Sequence, residues 1–236
     1  MKTQAIIPTA GMGVRFQTDL PKPLVELCGK PLCVYALEIF EKSPAVDSVI
    51  LVGQKERLSQ LNDIVSQYGL KKVVQVVAGG ETRRESVACG LAVIDDDTDV
   101  VLVHDGVRPL VSLKVIEDAV AFCGKWDAVV TAVAVKPTIK RVNKDSLLVE
   151  ETLDRGELWE IQTPQAFKKN ILLKAHQQNK DSNPTDDAVM VEQLGVKVKV
   201  SPGDYKNIKI TTQEDLAIAE TFLKLQSSSS EATLKR

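Results

Sequence analysis

Gln4-Ala5-Ile6-Ile7-Pro8 runs directly into Thr9-Ala10-Gly11-Met12-Gly13-Val14-Arg15-Phe16. An apolar run that ends in small residues reads as a buried strand followed by a β–α turn. The pattern recurs along the chain. Asp47–Val52, Lys72–Val77, Val100–His104 and Ala128–Val135 are rich in Val and Ile without polar alternation, which suits strands covered on both faces. Between them, apolar residues fall at helical spacing: Leu32, Tyr35, Ala36, Ile39 and Phe40 within Pro31–Lys42, then Leu58, Leu61 and Val65 within Lys55–Tyr68. Thr82–Ile94 and Ser112–Cys123 continue the series. This alternation implies right-handed crossovers. It predicts an α/β fold with a single Rossmann-like, mainly parallel sheet and helices on both faces.

The rhythm stops at Pro137. Residues 137–163 are polar, only partly alternating, and carry an Asn143-Lys144-Asp145 turn signal; they read as an arm projecting from the sheet. Helical patterns return over Asn170–Gln178 and Asp186–Leu194, with short strands expected at Val196–Val200 and Asn207–Ile210. The last helix, Gln213–Leu225, is introduced by Thr211 and Glu214 at capping-box spacing. Residues 226–236 offer little to pack and are expected to form a flexible tail, leaving 1–225 as one domain.

Charge and composition narrow the function. Thirty Lys and Arg against thirty-two Asp and Glu give a net charge of −2, so no excess positive field favours a nucleic-acid backbone. No apolar run approaches the roughly 20 residues that span a bilayer. The N-terminus enters a strand pattern at once, without a signal-peptide layout, and a cytoplasmic location is expected. Cys28, Cys33, Cys89 and Cys123 form no C-x-x-C pair, and His104 and His176 lie far apart in sequence. A zinc site is not expected; the cysteines read as small buried thiols in a reducing compartment.

In open α/β sheets, ligands bind beyond the carboxyl ends of the strands, and four segments there carry unusual residues. The first is the Thr9–Phe16 loop with Pro21-Lys22-Pro23. Its small residues let backbone N–H groups approach phosphate, and Arg15 and Lys22 add two cations. It is not a Walker loop, since no G-K-[ST] occurs. It also lacks a third glycine leading straight into a helix, and the second strand ends Leu51-Val52-Gly53-Gln54 with no acidic residue, so an NAD-dependent reductase is disfavoured. The second is Gly79-Gly80-Glu81-Thr82-Arg83-Arg84-Glu85-Ser86. Its glycine pair allows flat contact with a planar base, and Ser86 suits a base or ribose, although a polar first helical turn explains the same residues. The third is His104-Asp105-Gly106-Val107-Arg108-Pro109. An acidic residue at a strand end can orient Mg²⁺-bound phosphate or a hydroxyl. Ser112 is the better cap for the next helix, which frees Asp105 for function, while His104 reads as packing or bonding locally. The fourth is Lys209 between Ile208 and Ile210, either a third cation at the rim or a solvated lysine.

Seven stretches together, PTAGMGVRF with PKPL, GGETRRESV, HDGVRP, PTIKRV, LDRGELWEIQTPQ, NPTDDA and NIKITTQEDLA, resemble the 2-C-methyl-D-erythritol 4-phosphate cytidylyltransferases of the non-mevalonate isoprenoid pathway, in the same order from residue 5 to about 222. The resemblance implies a nucleotidyltransferase-type sheet and transfer of CMP from CTP to methylerythritol phosphate with release of pyrophosphate. It also implies Mg²⁺ and a homodimer that interlocks through the β-arm. Carried over by position, Thr9, Ala10 and Gly11 would line the CTP phosphates, and Gly80, Glu81, Ser86, Asp105 and Gly106 the rest of the nucleotide. Arg15 and Lys22 would stabilise the transition state. Asp105, Arg108, Thr138, Arg155, Thr163, Thr185 and Lys209 would hold the acceptor, with Arg155 and Lys209 also in the catalytic set. Arg155 and Thr163 would arrive from the partner's arm, and Asp105 is the one candidate metal ligand. Three positions depart from the family's usual residues: Thr9 and Gly106 for Ala, and Pro23 for Gln. A ribitol 5-phosphate cytidylyltransferase and a non-catalytic nucleotide-binding regulator are the alternatives.

The chemistry agrees with this residue set. A phosphate monoester meeting a triphosphate brings two anions together, so cations and positioning matter more than an acid–base pair. No Ser/His/Asp arrangement is evident in the sequence.

Overall fold

The computed structural model describes residues 1–11, 21–179 and 184–234, with side chains as far as Leu225 in the last helix. In chain order the strands are β1 (Thr3–Pro8), the short pair β2 (Glu26–Leu27) and β3 (Lys30–Pro31), β4 (Ser48–Gly53), β5 (Val73–Ala78), β6 (Val100–Val103), β7 (Ala128–Ala134), β8 (Lys140–Val142), β9 (Val149–Thr152), β10 (Trp159–Lys168) and β11 (Val198–Pro202). The helices are α1 (Leu32–Lys42), α2 (Leu58–Gln67), α3 (Arg83–Leu91), α4 (Leu113–Cys123), α5 (Lys169–Gln178), α6 (Asp187–Glu192) and α7 (Gln213–Leu234). Seven strands make the main sheet in the order β11-β7-β10-β6-β1-β4-β5. All its neighbour pairs are parallel except those of β10, which runs antiparallel to both β6 and β7.

The Val/Ile runs explain the layering. Successive side chains of a strand point to opposite faces. Ala5 and Ile7 enter the core beneath α1, α2 and α4, with Leu37, Phe40, Leu61 and Ile116. Ile6 enters the core beneath α3, α5 and α6, with Val87, Leu172 and Met190. Ile6 and Ile7 are both fully buried; burial of such a side chain is worth about 1.5–3 kcal/mol. A third cluster seats α7 through Ala219 against Leu27, Leu32, Leu110 and Ile210. Helix starts are capped as their sequences suggest. Ser112 accepts from the Val115 N–H, and Thr82 with Glu85 forms a reciprocal capping box at α3.

The structure corrects several expectations. The arm is shorter than 137–163. Its ribbon is the β8–β9 hairpin, and residues 159–163 belong to β10, in the middle of the sheet. Thr163-Pro164 falls where the pairing of β10 with β7 shifts register between Gln162 and Gln165, so the ladder bond that proline cannot make is not required there. Asn207–Ile210 is a loop, not a strand. The reciprocal cap at α7 joins Thr212 and Asp215, one residue beyond the expected pair: Asp215 accepts from the Thr212 N–H at 2.9 Å, and Thr212 Oγ1 from the Asp215 N–H at 3.4 Å. The α7 backbone stays helical to Leu234 rather than ending at Leu225. Cys33 and Cys123 are buried, Cys89 is half-buried, and Cys28 is exposed in the turn joining β2 and β3.

Candidate active site

The chain climbs from β1 to β4 and β5 on one side, then returns with β6 on the other side of β1. The strand order therefore reverses between β1 and β6, where an open α/β sheet forms its crevice. Thr9-Ala10-Gly11 follows β1 and Asp105-Gly106 follows β6, so both flank that crevice. β10 enters the sheet from the same edge because it is reversed, and this carries Gln162 and Thr163 to the rim.

One cavity at the rim is lined by Ala10, Gly11, Lys22, Gly80, Glu81, Ser86, Asp105 and Lys209, together with Arg83. A second, beside it, is lined by Arg83, Asp105, Arg108, Thr163, Thr185 and Lys209, among others. Arg83, Asp105 and Lys209 belong to both. Of the expected nucleotide set, Ala10, Gly11, Gly80, Glu81, Ser86 and Asp105 line the first cavity; of the expected acceptor set, Asp105, Arg108, Thr163, Thr185 and Lys209 line the second.

Asp105 is the hinge between the cavities. It is 6 % exposed. Burial alone would push its carboxyl pKa up, but Arg83, Lys209 and Arg108 outweigh that and hold it well below the usual carboxylate range. Arg83 Nε donates to it at 2.9 Å, Lys209 Nζ lies at 2.8 Å, and Arg108 Nε at 3.8 Å. Lys209 thus points into the rim. Lys22, on a 3₁₀ turn over Lys22–Leu24, reaches the same edge, where its ammonium donates to the Thr211 carbonyl at 3.1 Å. Arg15 lies outside the described residues.

His104 is not a base. Burial lowers its pKa to about 4, and its ring packs on Phe40 with centroids 5.1 Å apart. Nε2 lies 3.3 Å from the Arg108 carbonyl, which can only accept, and Nδ1 lies 3.2 Å from Thr163 Oγ1. A neutral ring protonated on Nε2 satisfies both bonds. Thr163 Oγ1 also accepts from the Asp105 N–H at 3.0 Å. Thr163 therefore belongs to this chain's own site, which corrects the expectation that a partner's arm delivers it. The reason is the central position of β10.

On the nucleotide side, Ser86 is buried and its hydroxyl donates to the Thr82 carbonyl at 3.0 Å, leaving it free to accept. A Cβ at Gly80 would stand 2.4 Å from Glu85 Cβ, so only glycine allows this turn to fold over α3. Two of the unusual residues meet. A Cβ at Gly106 would lie 2.6 Å from the Thr9 methyl group, while Thr9 Oγ1 donates to the Val52 carbonyl at 2.8 Å. Threonine at 9 thus occupies the space that a methyl group at 106 would need.

Thr138 and Arg155 do not join this constellation. Both are exposed, and Arg155 donates to the Lys136 carbonyl at 2.9 Å. Neither lines the two cavities. Pro23, by contrast, lines the first cavity. Arg83 is the residue that sequence reasoning did not single out. It sits inside a quoted motif, but its partners are Asp105 and the distant Asp187.

No three His, Cys, Asp or Glu side chains converge to hold a metal among the described residues. Asp105, the expected metal ligand, already faces three cations. Among the described residues the protein's own donors therefore form no metal cage, and Asp105 is engaged by cations in this arrangement.

A family model described as 2-C-methyl-D-erythritol 4-phosphate cytidylyltransferase matches residues 3–225. The chain belongs to this family. Within it, the chain is 42% identical to the cytidylyltransferase of Alkaliphilus oremlandii, with 94% of this chain and 95% of that protein covered. It is 39% identical to that of Caldanaerobacter subterraneus subsp. tengcongensis, with 95% of this chain and all of the other covered. The fold superposes on the crystal structure of 4-diphosphocytidyl-2C-methyl-D-erythritol synthase from Anaerococcus prevotii with a TM-score of 0.83 and 33% identity, over 94% of this chain and 98% of that one. Among the described residues, no helix of this cytidylyltransferase family member is long and apolar enough to cross a membrane.

Proposed function

We propose that this chain transfers CMP from CTP to 2-C-methyl-D-erythritol 4-phosphate, releasing pyrophosphate. The observation that carries the reading is the meeting of Arg83, Lys209 and Arg108 around Asp105 between two adjoining cavities, with Lys22 in the wall of the first. A phosphate monoester in one cavity and a triphosphate in the other would face each other across this cationic seam. An oxygen of the monoester forms a bond to the α-phosphorus as the bond to the pyrophosphate oxygen breaks. The nucleophile is already ionised at neutral pH, so no proton has to be removed, in keeping with a neutral, buried His104.

In this reading the Thr9–Gly11 backbone and Lys22 hold the triphosphate, with Arg15 as their expected companion. Gly80, Glu81 and Ser86 accommodate the cytosine, and Asp105 with Gly106 meets the ribose. Arg108, Thr163, Thr185 and Lys209 hold the acceptor. Fixed cations aimed at charge that grows on phosphoryl oxygens are the main source of acceleration in such chemistry. A Mg²⁺ ion, when bound, would supply further neutralisation of the triphosphate and would take its oxygens from phosphate and water.

We further propose a homodimer. The β8–β9 hairpin is exposed along its length and carries Val142, Leu147, Leu148 and Val149 at its surface. Such a ribbon is marginal in water on its own, and a second copy would cover it. Thr138 and Arg155, which line neither of the two cavities of their own chain, would then serve the partner's. The free cysteines fit a reducing cytoplasm.

The decisive test is pyrophosphate release from CTP with methylerythritol phosphate, set beside ribitol 5-phosphate and beside UTP, ATP and GTP. Turnover with CTP and methylerythritol phosphate is expected to dominate. Preference for ribitol phosphate would reassign the acceptor, and CTP binding without pyrophosphate release would make the chain a nucleotide-binding regulator. Mixing Arg15→Ala and Arg155→Ala chains should restore partial activity if two chains build one site.

A further inference from the structure

We infer that Arg83 and Asp187 form a positioning strut that holds the acceptor-side wall of the site at a fixed place relative to its nucleotide-side wall. The inference rests on the cytidylyltransferase reading above and deepens it. Arg83 opens α3, directly after the Gly80-Glu81-Thr82 turn on the nucleotide side. Asp187 opens α6, directly after Thr185 and Asp186, which line the acceptor cavity. A single guanidinium joins them: Nε donates to Asp105 at 2.9 Å and Nη1 donates to Asp187 Oδ2 at 2.7 Å. Asp187 is fully buried, and its other oxygen accepts from His176 Nε2 on α5 at 3.1 Å. The second terminal nitrogen of Arg83 makes no hydrogen bond among the described residues, and it is not among the buried polar atoms without a partner. The side chain thus braces two carboxylates and still borders both cavities.

The two ends of the strut differ in what else supports them. Asp105 keeps Lys209 and Arg108 if Arg83 is lost. Among the described residues Asp187 keeps His176 alone. A buried carboxylate deprived of its main cation is strongly destabilised where it stands. Failure of the strut should therefore fall on the Thr185–Asp187 segment and leave the turn at Gly80 and the loop at Ala10 in place. The guanidinium's fork is required for this, because Nε and Nη1 are separate nitrogens held in one plane, one on each carboxylate, whereas a lysine offers a single nitrogen on a flexible stem.

The test compares Asp187→Asn and Arg83→Lys with the unmodified chain. Three quantities are measured: the KM for methylerythritol phosphate, the Kd for CTP alone, and amide exchange over residues 185–188 and over α3. Asp187→Asn is expected to raise the acceptor KM at least tenfold while CTP affinity stays within twofold. Its amide exchange should accelerate at 185–188 and not in α3. Arg83→Lys, whose side chain borders both cavities, should accelerate exchange at the same amides. Equal losses for both substrates in Asp187→Asn, an acceptor KM within twofold of the unmodified enzyme, or unchanged exchange at 185–188 in either variant would overturn the strut. Amide exchange needs no substrate. If the unmodified chain releases no pyrophosphate, the functional reading fails alone, and the exchange pattern still decides the strut.

Discussion

The rim around Asp105 and the arm around Leu147 lie on one chain and follow opposite rules of burial. At the rim, charged groups are sunk into the protein. Asp105 and Arg108 are each 6 % exposed, Lys22 is 9 % exposed, and each is held by partners from distant segments. At the arm, aliphatic groups stand in water, with Leu147 77 % and Leu148 68 % exposed, and the hairpin's hydrogen bonds are local. Burial is costly for the first set and exposure is unfavourable for the second. Each region therefore tolerates its arrangement for the sake of something it meets: anionic substrates at the rim and, in our proposal, another chain at the arm.

The sharpest way to test that contrast is to remove a rim cation. Lys22→Ala should lower kcat by roughly 10²–10³, the scale of losing one preorganised charge in a dry site. Stopped turnover assays at saturating CTP would show it, and near-normal turnover would separate Lys22 from the chemistry.

The next largest effect concerns His104, which belongs to the rim's buried foundation. The folded protein holds its pKa at about 4, whereas an unfolded chain titrates near 6.5. Between those values only the unfolded chain takes up the proton. Stability therefore falls as pH drops through this window, by up to about 3 kcal/mol. Denaturant melts at pH 7 and pH 4.5 should show a steeper loss for the unmodified chain than for His104→Gln. Parallel losses would mean that another group dominates.

A smaller and more local effect tests the Thr9–Gly106 contact. Gly106→Ala should cost about 1–3 kcal/mol by overpacking. Adding Thr9→Ser should recover most of it, since serine keeps the hydroxyl that bonds Val52 and removes the clashing methyl. Thermal melts of the two single variants and the double variant measure the coupling. At the arm, Leu147→Ser with Leu148→Ser should change the stability of the single chain by less than about 0.5 kcal/mol. Sedimentation should nonetheless shift from two chains to one; an unchanged mass would refute the arm as the dimer contact.

The ease of reading these regions from sequence also differs. The parallel strands are legible because both of their faces are buried, which forces runs such as Val49–Val52 and Val100–Val103. β10 is not legible in that way. Gln162, Thr163 and Gln165 are buried polar residues, each bonded to a remote partner: Asp204 for Gln162, Asn207 for Thr163 and Asp186 for the Gln165 amide nitrogen. A hydropathy pattern cannot show such partners in advance. Arg83 is hidden for the same reason, since its meaning depends on Asp187, 104 residues away. Asp105 is legible because Ser112 is the better cap for the next helix, whereas Lys22 and Lys209 read equally well as solvated lysines until the resemblance places them in the site.

One rung of the sheet has a further consequence. Trp159 sits opposite Ala134 in the ladder, and the Val135 N–H donates to the Leu158 carbonyl at 3.0 Å. Everything between those residues leaves and returns through a single gateway. The hairpin is therefore a cassette: it could be lengthened, shortened or exchanged for a tight turn without altering the spacing of β7 and β10. In our proposal the cassette carries Thr138 and Arg155, so exchanging it would change what this chain brings to its partner while its own reaction edge kept its dimensions.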